Sequence, residues 1–535
     1  MRDRRVLLPL ALAGLVAVPS SCHAFDPAPR AEAVIVVDTD LPVPRLAGTL
    51  RVDVFRVTDD PVDWHGLRWT ATNEFTLENR RDWPASFGVT LDEGEASARF
   101  LVRLRVGRSG LTRSYRGDRF LEPPAAAGDP TQLFVVPTAA SPAPRLLTDG
   151  ADRTPPLEPR PSSSVDRVLL IDLAAEQRGQ VVVRLEGDCA GLESDLAGRR
   201  TCDGGTLVPL TPLPLAPVDL PERGVATAEG TWPVTAGPRI PIDCDAPDVE
   251  AQRKKETLLP GGARRYDEEV CLPGGAFLFG ESAWANGDPA DQGAIAGLDE
   301  LRIVAMPRVF VDRHEFTVGR ARGTATGAAL AHNEGQLGGI LLRAGCTYTT
   351  RDGVRDAYPL NCVNASQAEA LCAGEGRRLT TTAVWLYALH NGYGPPTTWP
   401  WGDDHPTHEE QCAGTVVERE ASFAPSCGSG LPAVDDAATR TGSHADISQR
   451  GVRDLAGSLL EIQSDAAWPF AARCWRTAAR VAPTCTIPAG ERWLVGGAWS
   501  RRADYLFVAP FLGVTAPIAI STEVGFRCMR FVDLR

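Results

Sequence analysis

The sequence predicts an α+β chain, an all-β sandwich followed by a domain of mixed strands and helices, and three observations carry this. Between residues 30 and 202, Phe100, Val102, Leu104 and Val106 alternate with Leu101, Arg103 and Arg105, and Val181, Val183 and Leu185 alternate with Val182 and Arg184. That is the period of half-buried strands. Helical spacing enters only later, in Ala368, Leu371 and Cys372 and again in Trp385, Leu386 and Leu389. Gly 51 and Pro 43 favour many turns over long helices.

A chain of 535 residues exceeds one core and should divide into two or three domains. It is 43% hydrophobic and 23% charged, an ordinary globular balance. Its net charge of -13 argues against a nucleic-acid partner, because phosphate neutralisation needs clustered positive charge. Nearly all the positive charge is arginine, with lysine only at Lys254 and Lys255.

The N-terminus reads as an export signal, residues 1–22. Arg2, Arg4 and Arg5 precede an apolar run, Val6 to Val18, too short for a stable membrane span. Pro19-Ser20-Ser21-Cys22 resembles a bacterial lipoprotein cleavage site, with Cys22 as the lipidated residue, although Pro19 replaces the usual leucine. Ordinary cleavage after Ala24 is the alternative. The expected location is therefore outside the cytoplasm: an outer-membrane or cell-surface lipoprotein, otherwise a periplasmic or secreted protein. Contact with membrane is expected only through that anchor. Removing Cys22 leaves an even number of cysteines, which in an exported chain implies disulfides. Neighbours in sequence suggest Cys189 with Cys202, Cys244 with Cys271, Cys346 with Cys362, Cys412 with Cys427 and Cys474 with Cys485, leaving Cys372 for Cys528. Sequence alone does not fix this connectivity.

Residues 30–202 are read as one immunoglobulin-like sandwich, with Ala33 to Val37 and Leu50 to Val57 as further strands and a Pro/Ala/Ser-rich excursion at 123–164. Trp64 and Trp69 are expected to pack internally rather than mark a binding face. Residues 203–270, first punctuated by Pro209, Pro212, Pro214, Pro217 and Pro221 and then polar, are read as an extended linker. The second domain is expected to span 271–533.

In that domain Leu272 to Gly280 reads as a strand entered through a glycine turn, and Val309 to Thr317 as a second strand. A helix should start near Asn364 or Ser366 and stop at Gly374 or Gly376, and Arg378 to Thr382 leads into another. Pro400-Trp401-Gly402-Asp403, Gly451 to Asp465, Gly496-Gly497-Ala498-Trp499 and Gly525-Phe526-Arg527-Cys528 follow. Within Gly451 to Asp465, Asp454 and Glu461 flank a tight turn at Gly457; spacing alone favours a surface turn with two solvated acids, the alternative being that carboxylates with inward turn carbonyls hold a hard, oxygen-seeking cation such as calcium.

This ordered set resembles the formylglycine-generating enzyme family, the sulfatase-modifying factors, over about half of the chain. The resemblance implies an α+β fold related to C-type lectins with little regular secondary structure, and a disulfide from the first helix to the final strand, Cys372 with Cys528. It implies structural calcium at Asp454, Gly457, Leu459 and Glu461, the outer two by side chain and the inner two by carbonyl. A second family calcium site is not expected, because its asparagine aligns with Gly414. Active relatives bind copper(I) through two cysteines after the glycine pair, since thiolates suit that soft ion. Here those positions fall on Arg501 and Leu506, and the neighbouring serine on Ala498. Arginine stays protonated and cannot replace a thiolate. No copper and no formylglycine generation are expected.

Trp499, Arg501, Arg502, Asp504 and Tyr505 then become candidates for lining the former substrate groove, set against ordinary packing. His405 and His408 beside Asp403, Asp404, Glu409 and Glu410 are read as a solvated acidic loop rather than a metal site. His332 is read as a loop tip, and Ser458 and Ser500 lack a neighbouring His and acid in sequence. The sequence favours an exported binding or scaffold module for an unidentified surface ligand or protein. The alternative is an oxidoreductase of the same family with a diverged metal site.

Overall fold

The computed structural model describes residues 31–57, 67–109, 147–148, 151–152, 163–192, 194, 199–218, 243–280, 301–330, 345–390, 392, 397, 399–402, 404–420, 422–468, 470, 472–486, 491–501, 514–515 and 521–533. The export signal, Cys22, Trp64, the Trp69 side chain, most of 123–164, His332, Asp403, Arg502, Asp504, Tyr505 and Leu506 lie outside the described residues.

Two sheets enclose the N-terminal core. Strand β1 (Glu32–Thr39) lies between antiparallel β4 (Ala85–Thr90) and parallel β7 (Arg178–Leu185). Facing it is a second sheet, in the order β3 (Leu67–Thr76), β2 (Thr49–Val57), β5 (Ser97–Gly107) and β6 (Ser164–Ala174). Ile35, Val52, Val102, Leu104, Ile171 and Val183 meet between the sheets. The alternation in β5 thus gives a strand, but its polar face is not solvated. Arg103 is 1% exposed, its Nε and Nη2 donating to Asp166 at 2.9 and 2.8 Å. Residues 200–216, the last of the stretch read as sandwich and the first of that read as linker, cover this face: β8 (Arg200–Asp203) and β9 (Thr206–Pro209) form a hairpin, and the Thr201 hydroxyl accepts the Val168 amide at 2.8 Å. Further along, the Leu213 amide donates to the Leu170 carbonyl, and Ala216 bridges to Gln180. The proline-punctuated stretch therefore runs along the sandwich as far as residue 216 instead of leaving it.

The second half also begins earlier than residue 271. Strand β10 (Glu269–Leu272) joins a four-stranded sheet with β13 (Val309–Asp312), β15 (Cys528–Phe531) and β14 (Arg378–Leu379). The glycine turn expected before the strand in Leu272 to Gly280 starts at Pro273, which has no amide hydrogen to continue a ladder and so separates β10 from the strand that follows. Beyond the break, β11 (Gly275–Phe279) pairs with β12 (Arg302–Met306). Helix α1 (Ala365–Gly374) starts where expected, with Asn364 and Gln367 forming a reciprocal capping box, and Gly376 follows at φ 71°. Helix α2 (Thr382–Leu389) is capped by Thr381.

The β11–β12 hairpin joins the two halves. Ala276, Leu278, Ile303 and Ala305 belong to the sandwich core, while Phe277, Phe279, Val304 and Met306 belong to the core beneath α2. Strand geometry sends successive side chains to opposite faces, so one hairpin serves as a wall for both cores. The Tyr387 hydroxyl of α2 donates to the Pro273 carbonyl at 2.9 Å, and its ring lies 4.9 Å from that of Phe277.

Six disulfides join the twelve described cysteines in the pairs suggested by sequence, including Cys372–Cys528 between α1 and the last strand. Among the described residues, no helix is long and apolar enough to cross a membrane.

Because Leu278 packs into the sandwich from the C-terminal half, Leu278→Ala should destabilise both halves together by about 2–5 kcal/mol. Calorimetry should show one unfolding transition shifted down as a whole. Two transitions, of which only one moves, would contradict a shared wall.

Candidate functional site

The segment expected to hold calcium is assembled around acids, and several of its amides point at carboxylates. Asp446 is fully buried, and its carboxylate accepts the amides of Leu455 (3.1 Å), Ala456 (2.9 Å) and Gly457 (2.9 Å). Glu315, also fully buried, accepts the Leu459 amide at 2.9 Å and the Ser458 hydroxyl at 2.7 Å. The turn therefore directs N–H groups at carboxylates, the geometry of an anion nest. A Cβ at Gly457 would stand 2.9 Å from the Val416 carbonyl oxygen, which explains the glycine.

The two outer carboxylates have cationic partners of their own. Arg527, 0% exposed, sends Nε to both oxygens of Glu461 at 2.8 Å, and its Nη2 to the carbonyls of Arg453 (2.8 Å) and Asp454 (3.1 Å). Arg440 bonds Oδ1 of Asp454 through Nε and the Ala433 carbonyl through Nη1. Asp454 Oδ2 is left buried without a hydrogen-bond partner. Measured against the calcium expectation at Asp454, Gly457, Leu459 and Glu461, this donor set fits poorly. Guanidinium groups hold both oxygens of Glu461 and one of Asp454, and an ion placed there would face two buried positive charges. At Gly414, the aligned position of the second calcium site, a Cβ would lie 2.1 Å from the His444 carbonyl oxygen. Glycine is required there by close approach.

Burial and mutual repulsion alter the titration of these groups. Asp446 is pushed up to about 7 by desolvation and then by the Asp454 charge. Glu315 is pushed well above the carboxylate range by burial, with Asp454 and Glu461 adding to it. His314 is held well below its ordinary value by burial, with Arg453, Arg440, Arg527 and Arg313 also lowering it.

The former groove segment is knitted into the same region. Ala498 is fully buried, and the Trp499 amide donates to the Ser458 carbonyl at 2.8 Å. The Trp499 indole donates to the Thr522 carbonyl at 3.1 Å. Arg501, half-exposed, pairs with Glu523 through Nε (3.1 Å) and Nη2 (2.8 Å), and the Ser500 hydroxyl bonds the other oxygen of Glu523. Trp499 and Arg501 are thus brought together over residues 522–523. Ser458 and Ser500 each bond a glutamate rather than a histidine.

The acidic stretch after Trp401 is not the unstructured loop that was expected. Residues His408–Gly414 form helix α3, with Thr407 and Glu410 completing a capping box. Its signal in the sequence is Thr407-x-x-Glu410. His405 packs edge-on against Trp399, and Trp399 stacks on Trp401 with centroids 4.9 Å apart. His408 turns instead toward Cys412 and Glu418. Asp446, Arg440 and Glu523 were not identified from sequence, because each meets its partners only through folding.

A family model described as the sulfatase-modifying factor enzyme 1-like domain matches residues 255–532. The chain belongs to that family. The matched region starts within the stretch read as linker, consistent with the early entry of β10 into the sheet. Among solved structures, PvdO from Pseudomonas aeruginosa is 17% identical with a TM-score of 0.36, covering 50% of this chain and 94% of its own. Treponema denticola variable protein 1 is 14% identical with a TM-score of 0.35, covering 51% and 98%. CarF is 16% identical with a TM-score of 0.29, covering 50% and 98%. None of the curated proteins matches the chain.

The raised Asp446 carboxyl has a signed consequence. Its folded value, about 7, exceeds its unfolded value of 3.8, so its contribution to stability is complete below about pH 4 and is lost as pH rises through 7. Thermal melts between pH 4 and 8 should show a steeper fall in wild type than in Asp446→Asn. Equal slopes would contradict the assignment.

Proposed function

We propose that this chain is an exported protein whose sulfatase-modifying-factor domain serves as a binding or scaffold module and does not generate formylglycine. One observation carries the reading: where the family's first copper thiolate aligns, Arg501 presents a guanidinium paired to Glu523. A permanently charged donor repels copper(I) and offers it no lone pair. The buried methyl of Ala498 likewise supplies no hydroxyl.

Six disulfides support an oxidising compartment outside the cytoplasm. In this reading Cys22 carries a lipid anchor, the N-terminal domain is an immunoglobulin-like spacer, and the second domain uses its lectin-related scaffold to present variable loops. The groove around Trp499 and Arg501, extended by Arg502, Asp504 and Tyr505, contacts a surface ligand or protein. The turn at Asp454 and Glu461 is neutralised by Arg440 and Arg527 in place of calcium.

Metal titration of the mature protein, with its disulfides intact, tests both parts. Copper(I) should not bind at one equivalent, and calcium or a chelator should leave the thermal midpoint unmoved. One equivalent of bound redox metal would favour the oxidoreductase reading. Calcium at about 100 times its dissociation constant would add about 2.7 kcal/mol if the turn held it, and a midpoint rise of that size would remove the arginine account.

A further inference from the structure

The stretch holding His408, set aside by the binding-module reading, contains a cluster with metal-ligand chemistry. His408 and Cys412 lie one turn apart on α3, which brings positions i and i+4 to one face. Cys427 reaches them from the following loop, where its amide donates to the Glu418 carbonyl at 3.0 Å. His408 Nε2 lies 3.5 Å from Cys412 Sγ, and the ligand atoms of His408, Cys412 and Cys427 all fall within 4.8 Å of one another. His408 is exposed and both cysteines are half-buried, so solvent reaches the group.

Behind the histidine stands Glu418, whose Oε2 is 3.5 Å from Nδ1. A carboxylate on that side favours the tautomer with its proton on Nδ1 and leaves the Nε2 lone pair facing the sulfurs. This carboxylate–imidazole order is the arrangement that orients histidines toward metals. In the structure the two sulfurs are joined to each other, and a disulfide sulfur is a poor ligand beside a thiolate.

We propose that His408, Cys412 and Cys427 form a redox-gated site for a d10 cation of the zinc type, closed as the disulfide and opened by a dithiol reductant. The reductant supplies two electrons and two protons: the Cys412–Cys427 bond breaks, two thiols form, and the reductant leaves as its own disulfide. On binding, the cation displaces both thiol protons to solvent and takes two thiolates and the Nε2 lone pair, leaving a fourth position for water or a ligand atom. The Glu418 amide donates to the Arg501 carbonyl at 2.9 Å, so the site borders the groove segment while standing apart from the family's aligned copper positions. The proposal goes beyond the binding-module reading and does not depend on it.

The test uses the full mature chain, opened by limited reduction with a water-soluble phosphine. Alkylation and mass spectrometry should find the first two thiols at Cys412 and Cys427. Zinc, added and then desalted, should remain at one equivalent in the reduced protein and be absent from the oxidised protein. His408→Ala should weaken zinc binding roughly 10–100-fold while leaving the thiol yield and thermal midpoint unchanged. First thiols at other cysteines, no zinc in the reduced protein, equal zinc in the oxidised protein, or undiminished binding by His408→Ala would each overturn the proposal.

Discussion

The buried guanidinium of Arg527 is the interaction on which the second domain depends. It neutralises Glu461, caps the carbonyls of Arg453 and Asp454, and reaches the Asp312 carbonyl through Nη1 at 3.2 Å. The strand beginning at Cys528 is thereby fixed to the central turn, and the Cys372–Cys528 disulfide adds α1 to the same point. Asp312 repeats the arrangement one layer away, accepting from Arg320, Arg377 and the Cys528 amide. Charges this deep are tolerable only when paired and hydrogen-bonded. Removing one partner from such a pair typically costs about 3–5 kcal/mol. A loop-rich domain is consequently held by a few long-range polar ties as well as by its apolar cores.

These ties also set the electrostatics of the domain. The acidic turn meets arginines at its outer carboxylates, and its amides close over Asp446. At the groove, Arg501 is directed to Glu523 and Trp499 to the Thr522 carbonyl. Both regions thus carry fixed, internally satisfied positive charge. A paired guanidinium offers no lone pair to a soft redox metal.

Local features were legible in the sequence, and long-range ones were not. Period-two alternation located β1, β2, β5 and β7, and Asn364 with Gly374 and Gly376 bounded α1 because caps are written in adjacent residues. Alternation alone makes Arg103 half-solvated, since the hairpin that covers its face lies about a hundred residues away in sequence. The shared wall at β11 and β12 was equally hidden. A strand apolar on both faces can serve two cores, but only the fold says which ones. Asp446 escaped notice because nothing near it in sequence reveals that three amides will converge on its carboxylate. For the acidic turn, spacing picked out Asp454 and Glu461 but not the guanidinium groups of Arg440 and Arg527, which reach them only through folding.

The most direct measurement is turnover. The mature protein would be incubated with copper, oxygen and a sulfatase-type peptide containing cysteine, and the peptide analysed by mass spectrometry beside an active family member. A domain whose aligned ligand position is an ion-paired arginine should leave the cysteine unconverted while the control converts it. Formylglycine in the peptide would contradict the account and place an active metal site elsewhere in this domain.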